Sequence, residues 1–177
     1  EKYGYLLIDP IGGAIGAFSM ADGINTGGQS RTPICQLPNI EHTEQSFPVL
    51  FLYRKELPDS GGAGKYRGGL GQSIELSSAN GAPFIVFLSV ERLKFPPLGR
   101  MGGLSGAVGR IRFRDNDSEL SGKGELRVTA DDYLIFETPG GGGFGPPADR
   151  DPDALRLDVR RELVSPDGAK NDYGMNL

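Results

Sequence analysis

ETPGGGGFGPP, residues 137–147, sets four consecutive glycines between a strand-like run and a proline pair. Glycine loses more conformational entropy on folding than any other residue. Such a cluster therefore implies either positive φ angles or a backbone approach too close for any Cβ. The same punctuation recurs in PIGGAIGA, NTGGQS, DSGGAGKYRGGLG and RMGGLSGAVG. Glycine reaches 28 and proline 13 of 177 residues, yet apolar or alternating runs flank each cluster in place of the polar tracts of disordered chains. The glycines read as architecture in a turn-rich β protein.

Between the turns lie seven candidate strands: YGYLLID (3–9), FPVLFLYRKEL (47–57), GQSIELSS (71–78), PFIVFLSVER (83–92), GRIRFRDN (109–116), GELRVT (124–129) and DYLIFET (132–138). Alternation in GRIRFR puts Ile111 and Phe113 on one face and Arg110, Arg112 and Arg114 on the other, the pattern of a half-buried strand. FIVFL is apolar throughout and reads as a central strand buried on both faces. Only the end reads as helix. Asp151 stands as N-cap with Pro152 at the first helical position, and Leu155, Val159 and Leu163 follow at spacings of four. Ser165 caps a short second helix over SPDGAKNDYG. The expected fold is β-rich α+β: one mostly antiparallel β domain with glycine-rich turns (1–150), followed by a short helical C-terminal tail (151–177).

A net charge of −4, with 24% charged residues, gives no basic footprint for nucleic acid or an anionic membrane. No apolar run approaches the length of a membrane span, and the single cysteine, Cys35, forms no disulfide framework within the chain, so a reducing, cytoplasmic setting is expected. The chain opens in strand-like pattern without methionine, as a segment of something larger would.

Glycine-rich loops invite a phosphate-binding reading, but DSGGAGKYRGG fails it. A P-loop needs a first glycine where Asp59 stands and a hydroxyl where Tyr66 stands. The dinucleotide fingerprint fails at Arg67, which takes the place of its third glycine. His42 and Cys35 are each the sole residue of their kind, too few for the usual zinc sites. A Cys35–His42 nucleophilic pair is conceivable, although lone residues of these types are more often packed structurally. No G-x-S-x-G elbow occurs. Candidate site residues are thus Glu41, His42, Glu44 and Arg67. On a helical turn Glu41 and Glu44 share a face and can bind a cation or split their pKa values; in an extended or solvated loop they do neither. Asp59 and Arg67 flank the DSGGAGKYRG loop, where they either close it by a carboxylate–guanidinium fork or form an anion-facing rim; the fork is the expectation.

Taken in order, DSGGAGKYRGGLG, PPLGRMGGLSG and ETPGGGGFGPPADRDPDALRLDVRRELVSPDGAKNDYG resemble the C-terminal part of the hydantoinase B family, which includes 5-oxoprolinase, N-methylhydantoinase and the large subunits of acetone and acetophenone carboxylases. Hydantoinase-like members carry a pattern near NTPVEALE before the DSGGAG loop. The RTPICQLPNIEHTEQSFPVLFLYRKEL of this chain looks closer to the ketone carboxylase branch. The resemblance implies a division of labour. ATP binds a hydantoinase A-type partner subunit, which phosphorylates the substrate's enol or amide oxygen, and the B-type subunit completes the reaction. For a ketone, carbon dioxide formed from bicarbonate attacks the enol phosphate; in hydrolytic relatives, water opens a lactam or hydantoin. Any divalent metal belongs to the remaining B-type portion, outside this chain. A further possibility is a non-catalytic assembly module. Gly140–Gly143 are expected to fold tightly against the DSGGAG loop, with an anion-binding nest of free amides as the alternative.

Overall fold

The computed structural model describes residues 6–7, 11–27, 39–116 and 118–176. The candidate strand at 3–9 lies almost wholly outside these residues, as does Cys35. A short helix α1 (Ile40–Ser46) is followed by strands β1 (Val49–Glu56), β2 (Gln72–Ser78), β3 (Phe84–Ser89), β4 (Arg110–Phe113), β5 (Lys123–Val128) and β6 (Leu134–Glu137). Helices α2 (Pro152–Arg160) and α3 (Pro166–Tyr173) complete the chain. Six of the seven expected strands are therefore present, and every strand pairing is antiparallel.

β1, β2, β6 and β4 form one sheet in that order, and β3 pairs with β5 in a separate ribbon. Ile74 and Leu76 of β2, Ile111 of β4, Leu134 and Phe136 of β6 and Val128 of β5 build the core, onto which Phe84, Val86 and Leu88 of β3 pack. The ribbon thus closes over one face of the larger sheet, burying alternate residues of each layer.

FIVFL is not the central strand. β3 alternates between half-buried and exposed positions, with Ile85 and Phe87 49% and 73% exposed. Among the described residues it pairs only with β5, and the face that carries Ile85 and Phe87 stays open. The centre belongs to β2, flanked by β1 and β6 and buried from Gln72 to Ser77 despite its polar residues. Glu75 there pairs with Arg114, whose guanidinium lies 3.8 Å from the centre of the Tyr133 ring. β4 has the expected half-buried character, Ile111 inward and Arg110 outward.

At the C-terminus, Asp151 accepts from the Asp153 amide and Ser165 from the Gly168 amide, capping α2 and α3 as expected. Leu163, expected within the first helix, falls beyond it. α2 ends at Arg160, and the amides of Glu162 and Leu163 turn back to the carbonyls of Val159 and Asp158. That pair of bonds is a Schellman cap, here with Glu162 at φ 59° where glycine is usual. Leu155, Val164 and Ala169 form the small core between the two helices.

Candidate functional site

Residues 139–145 run through the middle of the glycine-rich loops. The carbonyls of Pro139 and Gly142 accept from Ala14 and Ala17, the Gly141 carbonyl from Gly62, and the Gly143 carbonyl from Arg100. In the other direction the amides of Gly140, Gly141 and Gly143 donate to the carbonyls of Ala107, Gly69 and Leu104. The segment is bonded to three others, around 14–17, 62–69 and 100–107, whereas a sheet strand has only two edges. Backbones gathered on three sides leave no room for side chains. A Cβ on Gly140 would lie 1.7 Å from the Ser60 carbonyl oxygen, and one on Gly143 2.3 Å from that of Ala63. The corresponding atoms on Gly141 and Gly142 would meet the Ile15 and Leu98 carbonyls, both at 2.3 Å. None of the four has positive φ. Close approach is what these glycines serve, and the DSGGAG loop is one of three neighbours. Their bonded amides leave the anion-nest alternative without donors at Gly140, Gly141 and Gly143.

An ionic cluster locks this bundle to the C-terminal helices. Arg150, its side chain 3% exposed, forks onto Asp22 at 2.9 and 2.8 Å and reaches Asp158 at 2.5 Å. Arg67 approaches the same Asp158 oxygen at 3.5 Å and donates to the Gly68 carbonyl and the Asn25 side chain. Two guanidiniums facing two carboxylates balance formally, which is what makes burial of Arg67, Arg150 and Asp158 beside the half-buried Asp22 tolerable. Burial pushes the Asp22 carboxyl up, but the Arg150 hydrogen bond and charge outweigh it and hold Asp22 below the ordinary carboxylate range. Burial likewise disfavours the Arg150 charge, and the bond to Asp22 overcomes it, raising Arg150 above its usual value. Tyr173, beside the cluster, is pushed up to about 12 by burial against the opposing pull of Arg150 and Arg67. A cleft of about 420 Å³ opens next to the lock between Asp22, Lys65, Tyr66 and Arg150.

The expected Asp59–Arg67 fork does not form. Asp59 instead accepts from the Ser165 amide at 2.8 Å, tying the loop to the start of α3, and Arg67 turns to Asp158. Glu41, His42 and Glu44 do share a helical turn, α1, nucleated by the Asn39 side chain, which accepts from the His42 amide at 2.7 Å. Glu41 and His42 are exposed. Glu44 accepts from the Phe51 amide at 2.7 Å, so one carboxylate of the pair is engaged in fixing the entry to β1. No hydrogen bond or ion pair among the described residues joins Arg67 to this helix, and no group of three or more His, Cys, Asp or Glu among them is arranged to hold a metal. The Cys35–His42 pairing falls outside the described residues. Sequence reasoning missed Asp22, Arg150 and Asp158. Asp158 had a signal, since it lies three residues after Leu155 on the inward stripe of α2; Asp22 and Arg150 had none.

Residues 1–147 match the family described as Hydantoinase B/oxoprolinase. Caprolactamase subunit beta of Pseudomonas jessenii is 36% identical over 144 residues, covering 77% of this chain and 25% of the relative. The chain belongs to the hydantoinase B/oxoprolinase family. Its fold follows the crystal structure of ATP-dependent caprolactamase from Pseudomonas jessenii with a TM-score of 0.74 at 28% identity, covering 94% of this chain and 30% of that one. The acetophenone carboxylase delta subunit of Aromatoleum aromaticum is 27% identical over 194 residues, covering 89% of this chain and 28% of the relative. This hydantoinase B-type chain thus spans about a quarter of the length of these two relatives. No helix among the described residues is long and apolar enough to cross a membrane.

Proposed function

We propose that this chain is the scaffold segment of a hydantoinase B-type subunit in an ATP-dependent complex that opens a cyclic amide. The observation that carries the reading is the 36% identity to caprolactamase subunit beta over 77% of the chain. In this reading ATP binds a hydantoinase A-type partner subunit and phosphorylates the lactam oxygen there, leaving ADP; one water adds to the activated carbon and the ring C–N bond breaks to free the amine, and a second water hydrolyses the resulting acyl phosphate to the amino acid and phosphate. The remaining B-type portion carries any divalent metal, and the complex works in the cytoplasm. Arg67 and Arg150 act as structural cations here, holding the glycine bundle against the C-terminal helices. Glu41 and His42 are exposed titratable groups of α1, open to contact a substrate or partner.

Ketone carboxylation with bicarbonate is the second reading, favoured by the PNIEHTEQSFPVLF stretch and by the acetophenone carboxylase relative. The weight of that stretch is reduced by its local job, since Glu44 fixes the turn into β1. A test separates the two. The complete complex is given ATP with a lactam, a hydantoin or 5-oxoproline, and in parallel with a ketone and labelled bicarbonate. Ring-opened product with ADP supports the amidase, and label in a β-keto acid supports the carboxylase. An assembled complex that turns over neither class contradicts both and leaves an assembly module.

A further inference from the structure

The loop between β3 and β4 carries four large apolar side chains in the open: Phe95 at 77% exposure, Leu98 at 72%, Met101 at 75% and Leu104 at 44%. A second loop, bonded to the bundle through Ala17 and Gly142, adds Phe18 and Met20. The Leu98 carbonyl abuts the same Gly142, so both loops leave the bundle at one end. Isolated exposed hydrophobics are ordinary, whereas six on two adjoining loops mark a surface built to be covered. The turn is held rigidly. The Gly103 amide donates to the Arg100 carbonyl, with Met101 at φ 52° and Gly102 at φ 91° between them. A methionine in the left-handed region is strained, and this one stands in solvent. The same loop carries three exposed cations, Arg92, Lys94 and Arg100, on a chain whose net charge is −4.

We infer that this basic-rimmed apolar end docks the remaining portion of the same hydantoinase B-type subunit through a surface that is apolar at its centre and carboxylate-bearing at its edge. The inference rests on the B-type reading above. About three quarters of the length of these two relatives has no counterpart in this chain, and permanent interfaces are the apolar ones, resembling a domain core cut in half. The cations supply register and exclude basic surfaces, while the apolar centre supplies the affinity.

The complete complex is treated with a zero-length carbodiimide and, separately, with hydroxyl radicals. Lys94 is expected to be joined to aspartates or glutamates elsewhere in the B-type subunit, and Phe95 and Met101 to be oxidised at least ten-fold more slowly than solvent-exposed residues. Leu98→Asp combined with Lys94→Glu is expected to lower the fraction of assembled complex at least ten-fold with unchanged melting of the chain. Links from Lys94 only to an A-type subunit or to a second copy overturn the inference, as does fast oxidation of Met101 in an assembled, active complex. That last result leaves the enzymatic reading intact. Failure of the wild-type chain to enter any ATP-dependent complex removes the enzymatic reading itself, and the inference with it.

Discussion

Gly140 shows how little tolerance the bundle has. An alanine Cβ there would overlap a backbone carbonyl that is itself bonded to the Ala107 amide, so relief requires moving a second segment. Gly140→Ala is expected to cost about 4 kcal/mol or more in urea unfolding. Gly81→Ala, at φ 73° with open space around the new methyl, is expected to cost about 1 kcal/mol. Arg67→Lys keeps the charge but loses the planar guanidinium that reaches the Gly68 carbonyl, the Asn25 side chain and Asp158 from a residue 4% exposed, with an expected cost of about 2 kcal/mol. Had Arg67 formed an exposed pair with Asp59, the cost would have been under about 1 kcal/mol. Tyr173 makes stability depend on alkaline pH. Its folded value of about 12 exceeds the unfolded value near 10, so the folded state holds the proton more tightly. Its contribution is complete below about pH 10 and lost as pH rises toward 12. Tyr173→Phe should flatten that limb of a stability–pH curve. Asp22 has the opposite sign: its contribution is present above about pH 4 and lost on acidification through its lowered value.

Among the elements, strands were legible and α1 was not. Alternating or apolar runs bounded by glycine and proline identify β1 to β6 because half-burial writes itself into sequence with a period of two. The seven residues of α1 give too few turns for a helical period, and His42, Thr43 and Ser46 are poor helix formers. Its existence depends on the Asn39 cap. FIVFL was misread because an apolar run reports hydrophobicity and not a strand's place in the sheet, while Ile85 and Phe87 stay open in this chain. The end of α2 yields a prediction of its own. Glu162 occupies the left-handed position of the Schellman cap, so Glu162→Gly should raise stability by about 1 kcal/mol in chemical denaturation, the reverse of the usual effect of adding glycine.

Across the whole molecule, a two-layer β core, a glycine bundle and a pair of helices are held together by contacts far apart in sequence. Arg150 reaches Asp22 over 128 residues and Asp59 reaches Ser165 over 106. No local pattern encodes such partners, which is why ETPGGGGFGPP revealed that something close was needed but not that three segments would supply it. The four glycines serve backbone packing and not the holding of a ligand. Native-state hydrogen exchange separates these alternatives, because they assign the same amides opposite environments. With the amides of Gly140, Gly141 and Gly143 donated to Ala107, Gly69 and Leu104, they should exchange only through openings whose free energy approaches that of global unfolding. Exchange of these three amides at nearly unprotected rates, in a chain whose β2 and β6 amides remain protected, would contradict the account and return the loop to the role of a binding site.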